Sequence, residues 1–155
     1  MTRPLWAPWR LEYVQHADEL DHCIFCEPEA ELLVGGDDLT VVVLNKFPYA
    51  AGHLLVAPRR HTADFAGLSP GEAASIHALA SAGLAALTTA YAPHGFNLGW
   101  NIGRVAGAGI EDHIHLHVVP RWNGDTNFMP VLGQTKVIPE AIEETAGKLR
   151  EVFAS

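Results

Sequence analysis

From His113 to Val119 the chain alternates histidine with apolar residues, His-Ile-His-Leu-His-Val-Val. Side chains of a strand point to alternate faces. This spacing therefore predicts a strand with His113, His115 and His117 on one side and Ile114, Leu116 and Val118 entering a core on the other. Shorter apolar runs predict further strands. Glu31 to Val34, Gly35-Gly36-Asp37-Asp38 and Leu39 to Leu44 read as strand, turn and strand. His53 to Ala57 reads as a strand stopped by Pro58, and Phe96 to Ile102 as a fourth. Asn45-Lys46-Phe47-Pro48-Tyr49 is expected as a loop, because Pro48 has no N–H to give to a ladder. Gly103-Arg104-Val105-Ala106-Gly107-Ala108-Gly109 is a glycine-rich loop leading into the histidine segment.

Helical spacing takes over twice. Ser69-Pro70-Gly71-Glu72 has a capping serine, a first-turn proline and a glutamate three residues after the serine, the elements of a capping box. Ile76, Leu79, Ala80, Gly83, Leu84 and Leu87 follow at helical spacing, so this helix is expected to reach about residue 91. Pro139 to Phe153 reads as a terminal amphipathic helix. Strands near 31, 40, 54, 98 and 115 with one long helix among them do not alternate as βαβ units. An α+β domain on an antiparallel sheet of about five strands fits better. The 155 residues are expected to form a single domain, with residues 1–22, including Trp6, Trp9 and Tyr13, as an N-terminal arm that packs elsewhere.

Composition narrows the function classes. A net charge of −8 disfavours broad binding to nucleic acid or to an anionic membrane, though not binding of a small phosphate ligand. Lys46, Arg59, Arg60, Arg104 and Arg121 stand near the suggestive segments. No apolar run approaches the roughly 20 residues of a membrane helix, and Met1 to Arg10 lacks a signal-peptide core, so a soluble, cytoplasmic protein is expected. Cys23 and Cys26, the two cysteines, stand as Cys-Ile-Phe-Cys, a spacing that in a reducing compartment favours metal binding or redox chemistry over a structural disulfide. Histidine itself can serve as nucleophile, proton carrier or metal ligand near neutral pH. His16, His22, His77 and His94 match no motif and read as surface or core residues.

The pattern His-φ-His-φ-His-φ-φ, with φ apolar, resembles the defining motif of the histidine triad superfamily of nucleotide hydrolases and transferases. Asn45-Lys46-Phe47-Pro48 with Gly52-His53-Leu54-Leu55-Val56 is similar to that family's nucleoside-binding strand and loop, and Asn97 to Gly109 to its phosphate loop. Pro120-Arg121-Trp122-Asn123-Gly124-Asp125 resembles the branch that cleaves dinucleoside polyphosphates, which holds the fragile-histidine-triad hydrolases and the bacterial diadenosine tetraphosphate phosphorylases. Gly124 to Pro130 and Thr135 to Pro139 are most similar to phosphorylase-like actinobacterial members.

The resemblance implies the family's fold and an enzyme that attacks the α-phosphate with His115 and forms a nucleotidyl-histidine, which water or phosphate then releases. It implies that His117 contacts the α-phosphate or leaving oxygen, that Asn101 places an amide on the phosphate, and that Asn45 meets the ribose, a role that competes with turn formation. Glycines of the loop, Gly107 and Gly109 among them, would let backbone amides approach the anion. One residue more lies between loop and triad than in the human-type hydrolases. Phe25 and Phe47 could flank an adenine or simply be core. Cys23, Cys26, His61 and His113 correspond to a zinc site found in many bacterial members, a closed tetrahedral set of two thiolates and two imidazoles. A homodimer using residues 70–91 is also implied. Competing functions are a nucleoside phosphoramidase or general nucleotidyl hydrolase, and a nucleotide-binding protein without turnover.

Overall fold

The computed structural model describes residues 22–125 and 140–153. Residues 1–21 of the expected arm, the segment from Thr126 to Pro139 and the start expected for the terminal helix lie outside these residues. Five strands and two long helices follow in the order β1 (Leu33–Gly36), β2 (Thr40–Leu44), β3 (Leu54–Pro58), α1 (Pro70–Tyr91), β4 (Gly95–Trp100), β5 (Leu116–Arg121) and α2 (Ile142–Phe153). The sheet order is β1-β2-β3-β5-β4, and every neighbouring pair is antiparallel. The α+β architecture expected from the sequence is the one observed.

Several boundaries differ. The strand β1 begins at Leu33 rather than Glu31 and takes in Gly35 and Gly36, expected in the turn. Pro58 closes β3 from inside, paired with Thr40, rather than stopping the strand before it. The fourth strand ends at Trp100, before Ile102. The histidine segment is ladder-paired only from Leu116. Before that point Ile114 donates its N–H to the Thr62 carbonyl at 2.7 Å, in the chain that follows β3, so His113 to His115 leave the regular ladder.

Apolar runs decide the layering. Thr-Val-Val-Val-Leu in β2 and Leu-Leu-Val-Ala-Pro in β3 do not alternate with polar residues, and both strands are buried along their whole length. On one face Val42, Leu44, Leu54, Val56, Leu116 and Val118 pack against Ile76, Ala80 and Leu87 of α1 and Ala146 and Leu149 of α2. On the other, Val41, Val43, Leu55 and Ala57 pack against Phe25. Leu55 and His117 are register partners, which puts the histidines on this second face, away from the helices.

Two glycines set the helix close to the sheet. A Cβ on Gly83 would lie 2.9 Å from Leu54 Cδ1, and one on Gly52, whose φ is +77°, would lie 2.5 Å from Leu87 Cδ2. The 22 residues of α1 are long and apolar enough, by length and composition, to cross a bilayer, which inspection of unbroken apolar runs does not register. In the fold one side of α1 covers the sheet, and Ala73, Ala74, Ala78, Ala82 and Ala85 on the other side are exposed.

The capping box at the start of α1 is present: Glu72 N–H donates to Ser69 Oγ, and Ser69 N–H donates to Glu72 Oε2 at 2.8 Å. Arg60 grips the same carboxylate with Nε at 2.9 Å and Nη2 at 3.0 Å. Hydrogen bonds from Arg60, then from the Ser69 backbone, lower the Glu72 pKa to about 2. A depressed folded pKa adds stability that is complete above the unfolded value of about 4.3 and is lost as pH falls toward the folded one. Glu72→Gln should therefore melt below the wild type at neutral pH. The gap should narrow as thermal scans are taken from pH 5 down to about 2.

Candidate active site and metal centre

His115 is 4% exposed, at the point where the chain joins β5. Its Nδ1–H donates to the His113 carbonyl at 2.8 Å. A neutral imidazole with its proton on Nδ1 carries a lone pair on Nε2. Burial is the main cause that holds the His115 pKa below the ordinary histidine value, which keeps the ring neutral. The His117 ring stands edge-on to it at 4.9 Å.

His117 is tied to a fourth histidine. His53, fully buried, places Nε2 2.9 Å from His117 Nδ1. Tyr49 donates its backbone N–H to His53 Nδ1 at 3.0 Å, and Asn45 Nδ2 lies 3.3 Å from the same atom. Two donors aimed at Nδ1 leave it unprotonated, so the His53 proton sits on Nε2 and is donated to His117 Nδ1. His117 Nδ1, accepting that proton, carries none of its own, so the ring is neutral with its proton on Nε2. Asn101 Nδ2 lies 3.3 Å from this Nε2 and donates to the Gly107 carbonyl at 3.4 Å. Tyr49 stacks on His117 with an interplanar angle of 16°.

Sequence reasoning gave His53 no chemical role. The signal is an isolated histidine opening an apolar strand. Its meaning appears only when β3 and β5 become neighbours.

The loops contribute differently from expectation. Asn45 is buried, its Oδ1 accepting the Phe47 N–H at 2.9 Å, so its side chain shapes the Asn45 to His53 loop. Arg104–Ala106 forms a single 3-10 turn, and Gly107, at φ +91°, donates its N–H to the Arg104 carbonyl at 2.9 Å. Gly107 thus supplies a left-handed turn, and its amide is engaged within the loop. Arg121 pairs with Asp125 and donates Nη1–H to Asn97 Oδ1 at 2.7 Å, which fastens the segment after β5 to β4. His22, His77 and His94 are exposed, as expected of residues outside the motif, while His16 lies outside the described residues. Phe47 is exposed and Phe25 belongs to the second core.

The first triad histidine turns to other partners. His113 is fully buried and donates Nε2–H to the Pro58 carbonyl at 2.7 Å, which leaves Nδ1 as a donor atom for a metal. Nδ1 is 3.2 Å from Cys23 Sγ and 3.7 Å from Cys26 Sγ, and His61 Nδ1 is 3.4 Å from Cys26 Sγ. All four ligand atoms lie within 4.8 Å of one another. A tetrahedral ion bound by thiolate and imidazole sets such atoms about 3.5 Å apart. The four residues therefore fit a metal ion. Burial, then the adjacent Cys23 thiol, pushes the Cys26 pKa up, an opposition to ionisation that a bound cation reverses.

A β-sheet carrying this histidine arrangement on one face and helices on the other defines a histidine triad protein, and the HIT domain family pattern matches residues 28–124. The chain belongs to that family. Within it, the chain is 36% identical over 163 residues to the AP-4-A phosphorylase of Mycobacterium tuberculosis, covering 97% of this chain and 84% of that protein. It is 30% identical to an adenosine 5'-monophosphoramidase of Schizosaccharomyces pombe, over 83% of this chain and 98% of the relative. Among solved structures, a zinc-bound histidine triad family protein from Mycobacterium smegmatis superposes with a TM-score of 0.68 at 30% identity, covering 85% of this chain and 93% of the other.

Metal analysis of the purified protein should find about one divalent ion per chain. Cys23→Ser should lose it and lower the melting temperature by several degrees, and chelation should shift the wild type toward the variant.

Proposed function

We propose that this chain cleaves dinucleoside polyphosphates at the α-phosphate through His115, by phosphorolysis or hydrolysis. The observation that carries it is the bond from His115 Nδ1–H to the His113 carbonyl, which leaves Nε2 as a buried, neutral nucleophile. Nε2 attacks the α-phosphorus in line, the bond to the bridging oxygen breaks, and a nucleotidyl-histidine forms. His117 Nε2–H, with its protonation enforced through His53, donates to the α-phosphate or the leaving oxygen. One such donor is worth on the order of 3 kcal/mol of transition-state stabilisation. Asn101, beside His117, and the loop from Gly107 to Gly109 are the proposed contacts for the phosphate chain, and Asn45 shapes the loop proposed to meet the ribose. Water or inorganic phosphate then takes the nucleotidyl group. The match to the AP-4-A phosphorylase over nearly the whole chain supports this substrate class. Zinc is the ion proposed for Cys23, Cys26, His61 and His113, from the donor set and the zinc-bound relative, and its role is structural.

Incubation with diadenosine tetraphosphate, with and without phosphate, tests this. Adenosine diphosphate and triphosphate formed only with phosphate mean phosphorolysis, and products that include adenosine monophosphate mean hydrolysis. His115→Ala should lower turnover at least about a thousandfold while nucleotide still binds. The similarity to a phosphoramidase favours a second substrate, adenosine phosphoramidate; release of ammonia from it with no cleavage of the tetraphosphate would replace the first.

We also propose that two copies pair. The strand β4 is a sheet edge, and Leu98 and Phe65 are 48% and 47% exposed. Beside them a groove of about 380 Å³ runs between α1 and β4, lined by Ile76, Ala80, Leu84 and Trp100. Continuing the sheet across this edge satisfies its open backbone groups and covers the alanine face of α1. Sedimentation should report a dimer, and Leu98→Glu should give monomer.

A further inference from the structure

We propose that Phe25, inside the Cys23–Cys26 turn, is a positioning residue that holds the His115 ring in its attacking orientation; this rests on the nucleophile role proposed above. Phe25 is 1% exposed. Its ring centroid lies 4.9 Å from that of His115, tilted by 33°, and 5.0 Å from that of His113. The torsion that turns an imidazole about its Cβ–Cγ bond is broad and roughly two-fold. A half turn would bring a carbon to the His113 carbonyl and aim Nε2 elsewhere. One hydrogen bond, at 2.8 Å, opposes that turn from the Nδ1 side. Among the described residues, two rings oppose it by packing, His117 and Phe25.

Of these two, Phe25 has no polar atom to exchange with substrate and no route to solvent. Its backbone is fixed on both sides. Cys23 accepts the N–H groups of Cys26 and Glu27 at 3.1 and 3.0 Å, which closes the turn, and both cysteines reach the His61 and His113 cluster. Apolar contact with Val41, Val43, Leu55 and Ala57 holds the ring from the sheet side. The cluster thus reaches the nucleophile by two routes, the His113 carbonyl and the Phe25 ring. A misplacement of about 1 Å in a reacting group can cost on the order of a hundredfold in rate.

The test is Phe25→Leu, which keeps an apolar side chain and removes the flat ring. We expect kcat on diadenosine tetraphosphate to fall by about tenfold to a hundredfold, with KM within about twofold and metal content unchanged. Histidine-selective nitrogen-15 spectra should show His115 as a single Nδ1–H tautomer in the wild type and as a mixture in Phe25→Leu. A wild-type kcat in the variant, or a change confined to KM, overturns the proposal, as does an unchanged single tautomer. If the leucine variant does not fold, Phe25→Met carries the same measurements. The spectra do not depend on turnover. Should His115→Ala retain activity, the nucleophile role would fall, while loss of the single tautomer in Phe25→Leu would still assign Phe25 to the orientation of that ring.

Discussion

His113 is the residue through which the site is assembled, because one side chain and one peptide group make three commitments. Its Nε2–H is held by the Pro58 carbonyl at the end of β3, its Nδ1 faces the two cysteine sulfurs, and its backbone oxygen accepts the Nδ1–H of His115. Each fixes a different partner: a strand end, the turn at Cys23 to Cys26, and the tautomer of the neighbouring imidazole. None of the three can shift alone. The polar cost of burying a histidine completely is met because both ring nitrogens have partners.

A second chain of the same kind runs through His53. The backbone of Tyr49 decides which nitrogen of His53 is protonated, and His53 decides which nitrogen of His117 is. Adjacent imidazoles two residues apart in sequence thereby receive opposite assignments. His115 keeps its proton on the hidden nitrogen, and His117 keeps one on the nitrogen beside Asn101. The sequence alternation makes the three triad side chains look equivalent. Their hydrogen-bond partners make them different.

The fold is largely legible in the sequence because its signals are local. Helical spacing and the Ser69 to Glu72 box mark α1, and the unbroken apolar runs of β2 and β3 mark strands buried on both sides. The four residues that could hold a metal ion are recognisable through a family pattern, and the structure brings them together. What the sequence hides depends on strand order and on hydrogen bonds between distant segments. The role of His53 requires β3 beside β5. The withdrawal of His113 to His115 from the ladder requires the Thr62 carbonyl. The engagement of the Gly107 amide and of Asn45 Oδ1 depends on turn geometry, which composition does not specify. Phe25 reads as either base contact or core, and only its placement against two imidazoles distinguishes these.

The two faces of the sheet differ in how much material covers them. Among the described residues, the helix side spreads its packing over fourteen buried residues from sheet and helices, so a changed methyl group there can be absorbed by neighbours. The site side has five among the described residues, of which Phe25 comes from outside the sheet. A change of volume at Val43 or Leu55 is passed in part to Phe25, and through it to the imidazoles. Divergence among relatives should therefore run at two speeds on one strand. The helix-facing positions of β2 and β3 are free to trade apolar side chains, while the alternate positions, equally apolar and equally hidden, are constrained by the chemistry on the far side of a single phenyl ring.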